Sequence, residues 1–281
     1  MGARAAPANR VAAPAVLAAS AMHKKPLDLA RARILISNDD GINATGLEVL
    51  ERIARSLSDD VWVVAPTAEQ SGASHSLTLH TPLRVRKIEE RRFAIAGTPT
   101  DCVLFAVRQI LGDHPPDLVL SGVNRGGNLG DDVTYSGTIA AAMEGALLGI
   151  RSIALSQQID GPHRAKWATA EAHAPEIIRR AVQPDWPPEM LLNVNFPDVD
   201  AGAVTGIDVV PQGKRKMGVT FEERRDPRGF PYFWFGRQRD EPEVDYETDL
   251  SAVRAGAVAV TPLHLDLTYQ SLLERFQTAF D

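Results

Sequence analysis

The chain has 281 residues, 44% of them hydrophobic and 23% charged, with a formal net charge of −6. That composition belongs to a globular protein with ample length for a real core. The acidic balance argues against general binding of nucleic-acid polymers or anionic membranes and leaves room for a local phosphate site. The single cysteine, Cys102, excludes an internal disulfide framework and a cysteine-rich zinc site, and it accords with the reducing cytoplasm in which the protein is expected.

Residues 1–30 differ from the rest. "MGARAAPANRVAAPAVLAASAMHKK" is Ala-rich and lacks acids, and residues 11–22 form a short apolar run with "ASA" near its end. A secretory leader reads this way, but Pro14 interrupts the run and leucine is scarce in it. The expectation is a disordered extension, or an upstream start codon with Met22 as the true start. No apolar run is long enough to span a membrane.

From residue 31 to 281 one α/β domain is expected. "RILIS" (33–37) is a short apolar strand, and "GLEVLERIARSL" (46–57) has helical spacing, with Leu47, Leu50, Ile53, Ala54 and Leu57 on one face. "VWVVAP" (61–66) is a second buried strand. "PTDCVLFAVRQIL" (99–111) is a helix with Pro99 in its first turn. "DLVLSGVN" (117–124) is a strand, "GTIAAAMEGALLG" (137–149) an Ala-rich helix, and "SIALS" (152–156) the next strand. "AKWATAEAHAPEIIRRAV" (165–182) is helical, with a kink or break expected at Pro175. "LLNVNFP" (191–197) follows as a strand.

Strands alternating with helices, and near-continuous in apolar residues, imply right-handed crossovers and a mostly parallel sheet covered on both faces. Beyond residue 195 the texture changes. Residues 213–249 mix charge, glycine, proline and aromatics, and "VTFEERRDPRGFPYFWFG" reads as a hairpin turning at 226–229. So small a projecting hairpin is expected to pack on another subunit. "AGAVAVTPLHLDLT" (255–268) returns to strand and "YQSLLERF" (269–276) ends as a helix.

Ligands of an open parallel sheet bind at the carboxyl ends of its strands. Three polar stretches fall there: "SNDDG" (37–41), "PTAEQSGAS" (66–74) and "SGVNRGGNLGDDVTYSGT" (121–138). At a turn, Asp39 and Asp40 can both reach one ion, and oxygen donors suit a hard divalent cation. The same residues are also good turn chemistry, so the local pattern alone leaves both readings open. The third stretch interleaves glycines with Asn124 and Asn128 and runs into a helix start bearing Ser136 and Thr138. Backbone N–H groups of such a loop, with a helix N-terminus, can cradle phosphate; a plain helix cap accounts for one hydroxyl and not for the glycines. There is no Walker A lysine and no dinucleotide fingerprint.

Ser71 is a further hydroxyl donor, and its "QSGAS" context is not a hydrolase elbow. His75 and His80 lie in "HSLTLH", read as an alternating strand that puts them on opposite faces in structural or surface roles. Cys102 is expected in the core, and "YFWF" at a packing surface. The mixed-charge run "RKIEERR" (86–92) is read as a solvated face.

Taken together, "ILISNDDGINATGLEVL", "VVAPTAEQSGASHSLTL", "GTPTDCV", "LSGVNRGGNLGDDVTYSGTIAAAMEGALLGI" and "VAVTPLHLDLT" resemble the SurE family of metal-dependent phosphatases acting on nucleoside monophosphates. The blocks occur in order over nearly the whole chain from residue 33 to 268. The resemblance implies a Rossmann-like core with a C-terminal hairpin exchanged between subunits, here within 213–245, giving homodimers or homotetramers. It implies one divalent ion per subunit, Mg2+ or Mn2+, held by Asp39, Asp40, Ser71 and Asn124. It also implies 5′-nucleotidase activity, with 3′-monophosphates as further substrates.

The mechanism expected on that basis is phosphomonoester hydrolysis assisted by the ion, with Asp39 or Asp40 accepting a proton from water. Asn124, Gly126, Asn128, Ser136, Gly137 and Thr138 are the expected phosphate-binding residues. The competing reading is a non-catalytic nucleotide- or phosphate-binding regulator. It has little use for a doubled aspartate, because two extra anions oppose phosphate binding unless a cation intervenes.

Overall fold

The computed structural model describes residue 23 and residues 26–217, 220–236, 239–242 and 244–280. Most of the expected N-terminal extension lies outside the described residues. Its last part is ordered: Leu29 is buried in a single turn, Leu29–Arg31, and His23 bridges to Trp186.

In chain order the strands and helices begin β1 (Arg33–Ser37), α1 (Thr45–Arg55), β2 (Asp60–Pro66), β3 (Arg84–Glu89), β4 (Arg92–Ala96), α2 (Pro99–Phe105) and β5 (Leu118–Arg125). Then come α3 (Gly137–Leu147), β6 (Arg151–Gln157), α4 (Trp167–Ala181), β7 (Met190–Phe196) and β8 (Ile207–Val209). The last part holds β9 (Lys216–Met217), β10 (Phe221–Arg225), β11 (Pro231–Phe235), β12 (Arg239–Asp240), α5 (Asp249–Arg254), β13 (Val258–His264) and α6 (Gln270–Phe280).

Nine strands form one sheet in the order β3-β4-β2-β1-β5-β6-β7-β13-β8. The run from β4 to β7 is parallel throughout. β1 has β2 on one side and β5 on the other, so the winding reverses between β1 and β5. A crevice opens at the carboxyl ends of two strands where such a reversal occurs.

Period-two alternation explains the layers. Ile34 and Ile36 of β1 face one core cluster with Leu47, Leu50 and Ile53 of α1 and Ala174, Ile177 and Ile178 of α4. Leu35 faces the opposite cluster with Cys102, Val103 and Ala141, under α2 and α3. Helices therefore cover both faces, as expected. Cys102 is fully buried, and burial raises its thiol pKa, so it is an inert core residue.

Several boundaries depart from expectation for local reasons. The capping box of Thr98 and Asp101, with Pro99 after it, starts α2 on time, but the α-helix gives way to a wider turn at Ala106–Ile110. α4 runs unbroken through Pro175. The carbonyl that loses its donor there is that of Glu171, on a partly exposed part of the helix where water can replace it. The run 86–92 does reach solvent, but as strands: β3 is exposed throughout and pairs antiparallel with β4. Residues 75–80 are not a strand, which withdraws the opposite-faces reading of His75 and His80.

β10 and β11 pair by themselves as a two-stranded sheet, closed at Asp226, whose carbonyl accepts from the Gly229 N–H at 2.9 Å. Phe221, Phe230, Phe233, Trp234 and Phe235 of this hairpin are exposed. No helix among the described residues is long and apolar enough to cross a membrane.

Candidate active site

The turn after β1 is closed by Asn38 and not by the aspartates. The Asn38 side chain closes the turn, donating from Nδ2 to the Gly41 carbonyl at 3.0 Å and accepting at Oδ1 from the Gly41 N–H at 3.2 Å. Gly41 sits at φ +99°, where a side chain is strained. Asp39 and Asp40 are left out of the turn and are free for something else.

Asp39 is 4% exposed. Its Oδ1 accepts a hydrogen bond from the Thr138 hydroxyl, in the first turn of α3. Gly137 lies so close that a Cβ there would stand 2.7 Å from the Asp39 Cβ, which is why this position carries no side chain. Burial pushes the Asp39 carboxyl up to about 6, opposed by the Thr138 hydrogen bond and reinforced by the charge of Asp40. Asp40 is less enclosed. Burial raises its pKa, the hydrogen bond from the Arg125 backbone N–H at 3.3 Å lowers it, and the neighbouring Glu69 raises it again.

The loops after β2 and β5 converge on this pair. The Gln70 N–H donates to the Asp39 carbonyl at 2.8 Å, which brings the Ser71 loop beside the aspartates. That loop is pinned to the start of α3 by Ser74, whose hydroxyl donates to the Thr134 carbonyl at 2.8 Å. It is pinned to α3 itself by His75, whose Nε2 lies 3.0 Å from Glu144 Oε2. Ser71 is exposed, and its hydroxyl donates to Glu69 at 2.8 Å. At the end of β5 a register shift against β6 re-aims the strand between Ser121 and Asn124. Asn124 donates from Nδ2 to the Gly126 carbonyl at 2.9 Å, which leaves Oδ1 as its outward acceptor.

Among the described residues no side chain donates to Asp39 Oδ2, Asp40 Oδ1 or Asn124 Oδ1 and no ion pair engages either aspartate, although the backbone N–H groups of Asp39 and Thr138 also act on the Asp39 carboxyl. Two adjacent carboxylates, one of them almost buried, repel each other, and either protonation or a cation relieves that repulsion. The donor set is all oxygen, from carboxylate, amide and hydroxyl, and it fits a hard divalent ion. Among the described residues no group of three or more His, Cys, Asp or Glu side chains gathers where it could hold a metal ion, so a site here would draw on amide and hydroxyl oxygens beside the two carboxylates.

The glycine-rich loop differs from expectation. The N–H groups of Gly126, Gly127 and Asn128 donate within the protein, to the Gln157 carbonyl, to Gln158 Oε1 and to Asn195 Oδ1. Gly130 donates to Asp249. None of these four is left to cradle an anion. The Asn128 side chain is also engaged, donating to Ser156 at 2.8 Å. Ser136 caps α3 by accepting from the Ile139 N–H at 3.1 Å, so Ser136 and Thr138 both have internal roles. The assignment of Thr138 to Asp39 was missed from sequence because the contact spans 99 positions and no local pattern signals it.

Comparison with known proteins finds relatives over most of the chain. The profile of a family described as survival protein SurE matches residues 34–219. A protein named 5′-nucleotidase SurE from Paramagnetospirillum magneticum is 60% identical over 248 residues, covering 88% of this chain and 95% of that protein. A protein of the same name from Rhodospirillum rubrum is 57% identical over 256 residues, covering 90% and 98%. The crystal structure of the SurE protein from Aquifex aeolicus superposes with a TM-score of 0.77 at 39% identity, covering 89% of this chain and all of that one.

Proposed function

The chain belongs to the SurE family and is a 5′-nucleotidase, and from that premise we propose that it hydrolyses nucleoside 5′-monophosphates, and 3′-monophosphates as well, with one divalent ion per subunit. Asp39, Asp40, Ser71 and Asn124 would hold the ion, Mg2+ or Mn2+. When bound, the ion supplies Lewis acidity at a phosphoryl oxygen and makes water a better nucleophile. The observation that supports this reading is the convergence of three strand-end loops on two adjacent carboxylates that no cationic side chain pairs with among the described residues.

The chain's own groups have distinct tasks. Thr138 and Gly137 pack against the Asp39 carboxyl and fix its orientation. Asp40, the more open of the two, accepts the proton of the attacking water. The new bond joins water oxygen to phosphorus, the ester P–O bond breaks, and the leaving nucleoside oxygen takes up the proton that Asp40 accepted from the water. The Arg125 guanidinium, whose charge is felt at Asp40, would offset charge on the remaining phosphoryl oxygens.

The test is phosphate release from a panel of nucleoside monophosphates, with and without a chelator. Release that stops with chelator and returns with Mg2+ or Mn2+ is the expected result. No release from the metal-loaded protein would leave only the regulatory reading. For assembly, the exposed aromatic hairpin of β10 and β11 is proposed to pack against another copy of the chain in a dimer or tetramer. Deletion of 219–237 should lower the mass seen by light scattering, and an unchanged mass would refute that role.

A further inference from the structure

A cavity of about 450 Å3 opens from Asp40 on the side away from α3. Its walls are Asp40, Ala44, Thr45, Arg125, Arg164 and Trp167. The volume is of the order that encloses a small ligand. The wall is chemically mixed in a particular way: one large aromatic, two guanidinium groups, one hydroxyl, and a single carboxylate at the end that meets the aspartate pair. Neither arginine has an ion pair among the described residues, and the Thr45 hydroxyl has no hydrogen bond there.

The wall is also held in place. Trp167 is half-buried and leans on the first turn of α1, where its Cη2 would stand 3.2 Å from a Cβ on Gly46. The segment carrying Arg164 is tied down on both sides. His163 Nε2 lies 2.9 Å from Asp198 Oδ2, the Asp160 N–H donates to the same carboxylate at 2.7 Å, and Lys166 donates to the Asp198 carbonyl at 3.2 Å.

A phosphate at the aspartate pair has its leaving group one bond away, so the leaving group must occupy space contiguous with the pair. On the α3 side Asp39 is sealed by Gly137, Pro99 and Thr138. The Asp40 side is open. We infer that this cavity is the nucleoside subsite, in which the base stacks on Trp167 and the Arg164 guanidinium while Thr45 bonds the ribose. Aromatic and guanidinium planes bind any base through its π-face, and the flat surface discriminates a nucleotide from a bare sugar phosphate more than one base from another. This rests on the nucleotidase reading and adds to it where the non-reacting part of the substrate binds and which side chains sense it.

The experiment compares kcat/KM for AMP with that for ribose 5-phosphate, which presents the same ester without a base. In the wild-type protein AMP should be favoured. Trp167→Ala should reduce the AMP to ribose 5-phosphate ratio about tenfold or more, mainly through KM for AMP, and Trp167→Phe should restore most of it. Arg164→Ala should reduce the ratio about threefold to tenfold, and because Arg164 is exposed and unpaired this variant decides the matter if Trp167→Ala does not fold. An unchanged ratio in a folded Trp167→Ala or Arg164→Ala protein overturns the subsite. Absence of phosphate release from both substrates in the wild-type protein would instead overturn the nucleotidase reading.

Discussion

The crevice at the ends of β1 and β5 and the hairpin of β10 and β11 are opposites. In the crevice, carboxylates are wholly or partly buried; Asp39, Asp40 and Asn124 each keep an oxygen that no side chain engages, and the Ser37 and Ser121 hydroxyls at the strand ends are buried without a partner. In the hairpin, large aromatic rings are exposed and pair mainly with each other, as Phe221 and Phe235 do with centroids 5.1 Å apart. Each region thus displays what it has not satisfied within its own chain. For the first that is negative charge, which the proposed ion would answer; for the second it is apolar surface, which the proposed packing on another copy would answer.

The comparison breaks most sharply at Asp39. Asp39→Asn should lower kcat/KM by at least a hundredfold and weaken the binding of the ion measured by calorimetry. The same substitution should stabilise the metal-free protein at pH 7. The sign follows from the raised pKa: a carboxyl at about 6 in the folded state against an ordinary 3.8 gives stability that is complete below pH 3.8 and lost as pH rises through 6. Asn avoids that loss. Metal-free wild-type protein should therefore unfold at a lower temperature at pH 7 than this group alone would allow at pH 4, and a metal-free Asp39→Asn protein that melts lower than wild type at pH 7 would contradict the buried-charge account.

Gly137→Ala comes next. The added methyl must push against Asp39 and Pro99 at 2.7–3.1 Å, so a loss of about 1–3 kcal/mol is expected in denaturant unfolding, together with a tenfold or greater loss of kcat. Thr138→Val has a smaller and more specific effect. It removes the hydrogen bond that holds the Asp39 pKa down, so the acidic limb of the pH–rate profile should move to higher pH. Smallest for the fold is Trp234→Ser in the hairpin. Its side chain is exposed, so unfolding of the core should change by less than about 0.5 kcal/mol, while the assembly weakens in sedimentation.

The sequence pattern reveals one of these regions better than the other kind of detail. Apolar runs with period two or 3.6 marked β1, β2, β5, β6 and β7 and all four covering helices, because those elements are buried and burial imposes the period. β3 went unmarked since it is exposed on every residue, and three-residue β8 is too short to show a period. That three loops meet was legible for a similar reason: unusual chemistry stands at strand ends in three separate stretches, and the hydrogen bonds bring those loops together. The roles of Gly126, Asn128 and Thr138 were not. Whether a glycine N–H or an asparagine amide is free or spent depends on partners such as Gln157, Asn195 and Asp39, which come from other strands. A local motif names the donors without showing where their bonds go.

Gly46 carries a last consequence. A Cβ at that position would fall 1.9 Å from the Val123 carbonyl oxygen, so the first turn of α1 rests directly on the backbone of β5. Two main chains in contact act as a rivet across the reversal in the sheet. The gap between the jaws is then set by peptide dimensions and not by side-chain volume. Substitutions elsewhere on the rim, at Thr45, Arg164 or Trp167, can alter what the jaws grip without altering how far apart they stand. That separation of gauge from grip lets one rigid frame serve differing leaving groups.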